Sequence, residues 1–218
     1  MTIRVLVNGA RGRMGQITVK MLEDHPDFTL VAQTTRGANL AAIIKAGARP
    51  VIGTSGLLPK QVAKLQAQCK KLKLGGVIAP NFSLGMILMM KYAREFVKYF
   101  PAVEIIEMHH DRKLDSPSGT AMYTAQTLAA ARGKSKTKAK DHQNIPGARG
   151  AEYLGIPIHA IRLPGLVAHE QIIFGDLGET LTLRHDSIDR LCFMRGVALA
   201  CQKVKKLKEL VYGLEQII

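Results

Sequence analysis

Residues Ile3 to Gly15 read Ile-Arg-Val-Leu-Val-Asn-Gly-Ala-Arg-Gly-Arg-Met-Gly, and an amphipathic helix pattern follows them. A short β-branched run, a glycine-rich turn and a helix form the context that a dinucleotide-binding fingerprint requires. Gly9 permits the tight turn, Gly12 lets the backbone approach a pyrophosphate, and Gly15 allows the helix to pack closely on the strand. The spacing G-x-x-G-x-x-G is a variant of the usual G-x-G-x-x-G. The prediction of a dinucleotide-binding turn therefore depends on the position of these glycines between a strand and a helix.

Residues 1 to about 83 continue to alternate between strand and helix patterns. Such alternation predicts an α/β domain with a parallel sheet and helices on both faces, here a Rossmann-like dinucleotide-binding domain. The predicted strands are Ile3–Val7, Thr29–Gln33, Pro50–Gly53 and Gly76–Ala79, and the predicted helices are near Gly15–Glu23, Ala38–Ala46 and Pro59–Lys71.

The end of the second predicted strand bears on the choice of cofactor. An acidic residue there commonly selects NAD by binding the adenosine ribose. This chain has Thr34-Thr35-Arg36 instead. Arg36 could pair with a 2′-phosphate, which favours NADP, or it could be one solvated arginine among many, and the two interpretations stay equally open. Arg11 and Arg13 add positive charge beside the expected phosphate position.

A second informative stretch, Glu107 to Ala121, reads Glu-Met-His-His-Asp-Arg-Lys-Leu-Asp-Ser-Pro-Ser-Gly-Thr-Ala. It lies between an apolar strand pattern, Val103–Met108, and a helix pattern that runs from Ser118 to about Gly133. Strand-to-helix connections are where α/β proteins place reactive groups. The Ser118-Gly119-Thr120 segment offers free backbone amides and the positive end of a helix dipole, which would hold a carboxylate or phosphate.

A structural interpretation of the same residues is also available. Ser118 could be an N-cap alone, Lys113 a solvated charge, and His109 and His110 partly buried and satisfied. Titratable groups of this kind cluster at functional sites, however, and the combination of both histidines and the lysine with this helix start favours function.

The remainder of the chain predicts a second, α+β domain with a mixed or antiparallel sheet. A helix is expected from Ser83 to about Phe100, and the polar stretch from Arg132 to Gly155 is expected to be a long loop. Three consecutive strand patterns follow, for which antiparallel pairing is favoured. These strands are Ile158–Leu163, Val167–Phe174 and Thr180–His185, and a last helix is predicted over Leu191 to about Leu207.

Composition restricts the class of protein. The 218 residues carry 31 Lys and Arg against 17 Asp and Glu, a net charge of +14, so a nucleic-acid-binding protein is the natural rival. The basic residues are dispersed along the chain. No Trp is present, so few aromatic side chains could stack on nucleic-acid bases. The charge equally suits anionic small molecules.

Other features point to the cytoplasm. No apolar run is long enough to span a membrane, and no secretory signal pattern is found. Cys69, Cys192 and Cys201 are odd in number and lack C-x-x-C spacing, which suits thiols in a reducing cytoplasm. The histidines show no metal-ligand spacing, so no metal site is predicted.

With these residues in hand, the chain resembles the 4-hydroxy-tetrahydrodipicolinate reductase (dihydrodipicolinate reductase) family of lysine and diaminopimelate biosynthesis. The matching segments extend over nearly the whole chain, and the His-His to Ser-Gly-Thr motif is highly specific to the family. These segments are Gly9–Gly15, Val51–Gly56, Ala79–Gly85, Glu104–Ala121, Phe174–Glu179 and Arg184-His185.

The resemblance implies reduction of a cyclic, unsaturated, dicarboxylated imine-type substrate to tetrahydrodipicolinate by NADPH or NADH. It implies that His109 is the acid/base histidine and Lys113 the proton-donating lysine. His110 would bind substrate, and Gly119 and Thr120 would cradle a substrate carboxylate. Hydride addition to a conjugated C=C–C=N system leaves negative charge, so a nearby acid must supply a proton, which fits these residues independently.

The resemblance also implies the cofactor contacts and the domain roles. Residues 1–83 with 191–218 would form the dinucleotide-binding domain, and residues 84–190 a substrate-binding domain that builds a homotetramer. The expected nicotinamide-dinucleotide contacts are Gly9, Ala10, Arg11, Gly12, Arg13, Met14, Gly53, Thr54, Ser55, Ala79, Pro80, Asn81 and Phe82.

One segment departs from the family pattern. Family members have room for a further strand, with an Asp-Phe-Thr-like end, between the second strand and Val51. Here the stretch from Gln33 to Pro50 can hold one helix and no additional strand. The missing strand would lie beside the first strand, next to the cofactor. Either the sheet is reduced or the sequence omits residues, and we favour omission because a central strand is far harder to lose than a loop.

Two alternative functions are consistent with parts of the sequence. One is another Rossmann dehydrogenase acting on a small acid. The other is a catalytically idle, basic binding protein on the same fold, which the shortened sheet favours.

Overall fold

A computed structural model describes residues 2–34, 40–54, 57–132 and 142–218. The chain divides into two compact units. The first unit comprises Met1–Leu84 and Arg190–Ile218, and the second unit comprises Gly85–Asp189.

The elements follow one another in an alternating order up to β5, and strands dominate after it. The strands are β1 (Ile3–Asn8), β2 (Phe28–Thr34), β3 (Val51–Ile52), β4 (Gly76–Ile78), β5 (Ala102–His109), β6 (Ala151–Tyr153), β7 (Ile156–Arg162), β8 (Ala168–Asp176), β9 (Glu179–Ser187) and β10 (Leu210–Tyr212). The helices are α1 (Arg13–Asp24), α2 (Leu40–Lys45), α3 (Pro59–Leu72), α4 (Leu84–Phe96), α5 (Gly119–Ala131) and α6 (Met194–Lys203).

The strand pairs of the first unit are all parallel, as the alternating pattern predicts. They form two sheets, β1-β2 and β10-β4-β3, which no ladder joins among the described residues. Helix α6 contacts both β1 and β3. The three-stranded sheet packs against α2 and α3 over one apolar cluster. The fully or nearly buried members of that cluster are Ile44, Ile52, Leu65, Cys69, Ile78 and Leu210.

The divided sheet matches the short segment between β2 and β3. A strand beside β1 would carry one parallel sheet from β2 across to β3, and the described residues between Thr34 and Val51 form helix α2 alone. The predicted helix Ala38–Ala46 is observed as Leu40–Lys45. Residues 35–39, including Arg36, lie outside the described residues.

The second unit is built on one five-stranded mixed sheet in the order β6-β7-β5-β8-β9. The central strand β5 runs parallel to β7 and antiparallel to β8. Its odd-numbered residues Val103, Ile105 and Glu107 are buried, whereas the even-numbered residues between them are only half-buried. Because alternate side chains face opposite sides of a sheet, Glu107 lies on the face with the buried apolar residues.

Some sequence predictions are wrong. Antiparallel pairing of three consecutive strands holds for β8 with β9, but β7 and β8 lie on opposite sides of β5, and β7 is parallel to β5. The reason is that β5 is buried and takes a neighbour on each edge. The stretch from Arg132 to Gly155, predicted to be a loop, contains the short strand β6. Helix α4 ends at Phe96, before the predicted end near Phe100. The last helix is predicted to begin at Leu191, but a 3-10 turn at Arg190–Phe193 precedes α6.

Candidate active site

The glycine-rich turn of the first unit has the geometry that its sequence predicts. The amides of Gly9 and Ala10 both donate to the carbonyl of Thr34 at the end of β2, at 2.9 and 3.1 Å, and the amide of Gly12 donates to the carbonyl of Gly9. Gly9 has a φ of +83°, which favours glycine. A Cβ at Gly15 would overlap the carbonyl oxygen of Gly9, so α1 packs against the turn as closely as the fingerprint requires.

The start of α1 is suited to an anion. Gly12 is its N-cap and provides no side-chain cap, so the first-turn amides of Arg13, Met14 and Gly15 have no acceptor within the helix. Arg11 and Arg13 are exposed beside them. These amides, the helix dipole and the two guanidinium groups can hold a pyrophosphate. The residues present therefore fit a dinucleotide.

A second group of predicted cofactor residues lies where β3 and β4 end. Gly53 and Thr54 follow β3, and the amide of Ala79, just after β4, donates to the carbonyl of Ile52 at 2.8 Å. A Cβ at Gly53 would lie 2.7 Å from the ring of Phe82. The carboxyl ends of parallel strands are where open α/β sheets bind ligands, so Gly53 and Phe82 lie close together at the end of the sheet where a cofactor is expected.

The other predicted cofactor residues divide into described and undescribed positions. Pro80 is exposed, and the side-chain oxygen of Asn81 accepts the amide of Ser83 at 2.8 Å. Ser55 and Arg36 lie outside the described residues.

In the second unit, His109 is the last residue of β5 and is fixed at one ring nitrogen. Its Nδ1 lies 2.6 Å from Oε2 of Glu107. The side chain of His109 is 15% exposed and that of Glu107 is fully buried. Residues two apart in a strand share a face, which brings the two side chains together. No hydrogen-bond partner of Nε2 is found in the described part of the chain.

Glu107 accepts three further hydrogen bonds. Nη1 of Arg162 donates to its Oε2 at 2.9 Å and Nη2 to its Oε1 at 2.7 Å, in a bidentate pair. The amide of Ser118 donates to Oε1 at 3.0 Å. Burial alone would raise the pKa of Glu107, but the hydrogen bonds from His109, Arg162 and Ser118 outweigh it and lower that pKa to about 2. The carboxylate is therefore ionised and acts only as an acceptor, so Nδ1 of His109 carries a proton.

The start of α5 presents amides to open space. Ser118 is the N-cap, and its hydroxyl oxygen accepts the amide of Ala121 at 3.1 Å. Because the amide of Ser118 is bonded to Glu107, the amides left for a ligand are those of Gly119 and Thr120. A Cβ at Gly119 would meet nothing within 4 Å. The predicted carboxylate cradle thus narrows to two amides, with Ser118 as its internal support.

Lys113 lies in the connection between β5 and α5 and is paired with Asp115. Its ammonium group is 2.7 and 2.9 Å from the two carboxylate oxygens of Asp115, and its side chain is 20% exposed. The hydrogen bond from Lys113 lowers the pKa of Asp115. Nη2 of Arg162 also donates to the backbone carbonyl of Asp115 at 2.8 Å. Arg162 therefore joins the Lys113 loop to Glu107 and so to His109.

His110 follows β5 and differs from its neighbour. Its backbone carbonyl accepts the amide of Lys113 at 3.1 Å. Its Nδ1 is buried and has no hydrogen-bond partner within the described ranges. A buried imidazole nitrogen without a partner next to this connection is unusual in a folded protein.

Sequence reasoning assigned no role to Glu107, Arg162 or Asp115. The spacing of Glu107 and His109 in a strand pattern is a signal that could have shown the pair, because such residues share a face. Arg162 is 55 residues from Glu107 and reaches it through the parallel pairing of β5 and β7, which local patterns do not reveal.

Glu170 lies directly opposite Glu107 in the β5–β8 ladder, but its pKa is shifted in the opposite direction. It is 4% exposed, and its Oε1 has no hydrogen-bond partner among the residues described. Burial, with a smaller contribution from the charge of Glu107, raises the pKa of Glu170 to about 7.

Two negative findings apply to the described residues. No cluster of three or more His, Cys, Asp or Glu side chains there could hold a metal ion. No helix within the same ranges is both long and apolar enough to cross a bilayer.

Comparison with known proteins identifies the family. The family model described as "Dihydrodipicolinate reductase, C-terminus" matches residues 85–218. The model described as "Dihydrodipicolinate reductase, N-terminus" matches in two overlapping segments, residues 3–40 and 34–82. The interruption falls in the short stretch between β2 and β3.

Curated relatives match at full length. The 4-hydroxy-tetrahydrodipicolinate reductase of Legionella pneumophila (strain Lens) is 49% identical over 243 residues, and that of Coxiella burnetii is 47% identical over 243, each with complete coverage of both chains. These alignments exceed the 218 residues of this chain by 25 positions. This chain is therefore shorter than these relatives.

Solved structures agree. A dipicolinate-bound dihydrodipicolinate reductase from Paenisporosarcina sp. TG-14 is 39% identical, with a TM-score of 0.90 and complete coverage of both chains. An engineered D-amino acid dehydrogenase bound to NADP+ is 13% identical, with a TM-score of 0.53 over 99% of this chain and 94% of that one, and shares the fold alone. The predicted fold class is confirmed. The chain belongs to the dihydrodipicolinate reductase family, a family of nicotinamide-dependent oxidoreductases whose curated relatives are 4-hydroxy-tetrahydrodipicolinate reductases.

Proposed function

We propose that this protein reduces 4-hydroxy-tetrahydrodipicolinate to tetrahydrodipicolinate, in lysine and diaminopimelate biosynthesis, with His109 and Lys113 as proton-supplying groups. The observation that carries the proposal is the state of His109. Its Nδ1 is bonded to an ionised, buried Glu107, and the same carboxylate holds the start of α5. A proton-transfer group and an anion cradle are therefore fixed by one side chain.

The chemistry needs an acid next to a bound dianion. A reduced nicotinamide cofactor, when bound, supplies the hydride. The 4-hydroxyl group of the substrate must first leave as water, together with a proton from the neighbouring carbon, which gives a conjugated C=C–C=N system. Hydride addition to that system places negative charge on the carbon-nitrogen framework, and an adjacent N–H group must release a proton to it. The Nε2–H of protonated His109 and the ammonium group of Lys113 are suitable donors. Asp115 holds the ammonium group until substrate competes for it.

The substrate carboxylates would occupy two sites in the second unit. One carboxylate would accept the amides of Gly119 and Thr120 at the positive end of α5. The other needs a cation or an N–H donor, which His110 and Lys113 provide. Since a relative is described as dipicolinate bound, we propose that the same planar dicarboxylate binds this protein at the start of α5.

The cofactor would bind to the first unit, with its pyrophosphate on the first-turn amides of α1. Both NADPH and NADH are retained as candidates. The arginines Arg11 and Arg13 suit either dinucleotide, and Arg36 would favour the 2′-phosphate of NADPH. We also propose that the protein acts in the cytoplasm as a homotetramer assembled through the second unit. Exposed apolar side chains on that unit, such as Leu163 at 53% and Leu177 at 99%, support such an assembly.

The test is oxidation of NADPH or NADH, followed by absorbance, with freshly generated substrate. Turnover with either cofactor supports the proposal, and the ratio of kcat/KM values gives the preference. Calorimetric titration with dipicolinate tests the carboxylate site, and light scattering tests the tetramer. A chain that binds neither cofactor and shows no turnover would be the catalytically idle binding protein. A salt-dependent shift of a DNA probe would support the nucleic-acid rival.

A further inference from the structure

The carboxylate of Glu107 is the point at which three parts of the second unit meet. Its Oε2 faces His109, its Oε1 faces the amide of Ser118, and both oxygens accept from Arg162. A fully buried charge is strongly unfavourable unless it is paired and hydrogen-bonded, and here every direction is matched. Such a complete set of donors is expected where a carboxylate must be ionised and immobile.

We propose that Glu107, held by Arg162, is a positioning residue that fixes the ring of His109 so that Nε2 is the nitrogen that exchanges a proton with substrate. This inference rests on the proposed role of His109. Nδ1 of His109 donates to the carboxylate throughout, so the ring cannot rotate to exchange its nitrogens. Through Ser118, the same carboxylate sets the distance between Nε2 and the amides that receive the substrate carboxylate.

The proton balance follows from this geometry. After hydride addition, the Nε2–H bond of the imidazolium breaks and a new bond forms between that proton and the substrate atom that carries the electron pair. The neutral ring left behind is the Nδ1–H tautomer, still bonded to Glu107. Nε2 then takes up a proton from bulk solvent, from hydronium or a buffer acid, to restore the imidazolium. The ionised carboxylate stabilises the charged ring before the transfer and holds one tautomer after it.

Two other carboxylate–histidine pairs in the same sheet differ from the Glu107–His109 pair in burial or in the partners of the second ring nitrogen. His159 Nε2 lies 2.7 Å from Glu104, whose side chain is 36% exposed. His169 uses both nitrogens, with Nδ1 on Asp186 at 2.6 Å and Nε2 accepting the amide of Val167 at 3.2 Å. His109 combines a fully buried partner with a second nitrogen that has no partner among the described residues.

The first experiment is a double-mutant cycle with Glu107→Gln and His109→Gln. Gln keeps the size of the side chain but cannot act as a charged acceptor. We expect Glu107→Gln to lower kcat on the order of 10- to 100-fold, with cofactor KM unchanged, and to change the pH profile. In the His109→Gln background the same substitution should lower kcat much less, because its effect on proton transfer passes through the imidazole, whereas any effect through Ser118 should appear in the KM for substrate in both backgrounds. A full loss in both backgrounds would show a structural role and overturn the proposal.

Matched controls come from the same sheet. Glu170→Gln changes an equally buried carboxyl opposite Glu107, and Glu104→Gln breaks a carboxylate–histidine pair on β5. Neither should lower kcat below pH 7, where Glu170 is mainly protonated, and Glu104→Gln should also leave the pH profile of kcat unchanged. An effect as large as that of Glu107→Gln in either control would contradict a specific role for Glu107.

The second experiment reads the ring directly and separates this inference from the proposed function. In histidine labelled with nitrogen-15, the neutral form of His109 should be the Nδ1–H tautomer, and Glu107→Gln should mix the two tautomers. If the wild-type ring is the Nε2–H tautomer, the proposal fails, whatever the activity. If His109→Gln retains full turnover while the tautomer is as expected, the proposed role of His109 in proton transfer fails, and Glu107 then orients a ring that takes no part in the reaction. If Glu107→Gln does not fold, Arg162→Lys can replace it. This variant keeps the positive charge but loses the bidentate pair with Glu107, so it should also mix the two tautomers of His109.

Discussion

The two units of the molecule differ in the continuity of their sheets. In the second unit a continuous five-stranded sheet carries Glu107 and His109 on its central strand. In the first unit the parallel strands form two separate sheets, yet the turn at Gly9 to Gly15 keeps its hydrogen bonds. A strand-turn-helix motif therefore depends mainly on its own residues, whereas the continuity of a sheet depends on a strand at its centre.

The difference has an energetic side. Strand β1 pairs with β2 on one edge, and among the described residues its other edge has no partner, as is true of β3 beyond β4. Unpaired edges expose backbone groups that a sheet otherwise satisfies. Helix α6 contacts both strands and is the element that spans the two sheets. The second unit has no corresponding interruption in β5.

The largest expected effect tests the second unit alone. His109→Gln and Lys113→Cys should each lower turnover by about 100- to 10,000-fold, because a proton donor is removed. Cofactor affinity, which we propose depends on the first unit, should be unchanged in a fluorescence titration with NADPH. His142→Gln, at an exposed residue outside the motif, is the control. Unchanged turnover in both variants would remove the roles assigned to these side chains.

How much of this site the sequence predicts depends on the range of the contacts. The turn before α1 and the start of α5 are local, and β5, α1 and α5 are observed within about two residues of their predicted bounds. Arg162 reaches Glu107 from β7, whose parallel place beside β5 is set by burial of the whole sheet. Local periodicity contains no information about that neighbour, so the bidentate pair was missed.

A second prediction contrasts the two buried carboxyl groups. The pKa of Glu170 is raised from 4.5 to about 7, so its contribution to stability is fully present below pH 4.5 and is lost as the pH rises through 7. Glu170→Gln should match the wild type near pH 4 and exceed it at pH 8 by about 3 kcal/mol. Urea unfolding at both pH values measures this difference. A constant difference would show that Glu170 titrates normally.

Glu107 should show the opposite sign in the same measurement. Its pKa is lowered from 4.5 to about 2, so its stabilising contribution is present above pH 4.5 and lost as the pH falls through 2. Glu107→Gln should therefore be less stable than the wild type at pH 7 by about 3 kcal/mol, and the gap should narrow in acid. A gap that widens in acid would contradict the ionised state of this carboxylate.

A smaller effect tests the first unit. Gly15→Ala places a Cβ against the carbonyl of Gly9, so the turn must open and the amides at the start of α1 must shift. We expect NADPH and NADH to bind about 10- to 100-fold more weakly, as judged by titration, since several hydrogen bonds to one pyrophosphate would be misplaced. Dipicolinate affinity should be unchanged. Gly175→Ala, where a Cβ meets nothing within 4 Å, is the control.

The smallest expected effect concerns the divided sheet itself. Amide hydrogen exchange should be at least about 10-fold faster in β1 and β3 than in β5 and β8, because strands with one open edge need fewer broken contacts to open. Mass spectrometry of peptides from each strand measures this ratio, and an intact mass of 23.8 kDa verifies the chain under test. A larger mass would reveal that the chain under test contains more than these 218 residues. Equal protection of the amides in all four strands, at the expected mass, would contradict this prediction. Packing of α6 against the two sheets would then stabilise them as well as a central strand does. The two units would differ in topology and not in local stability.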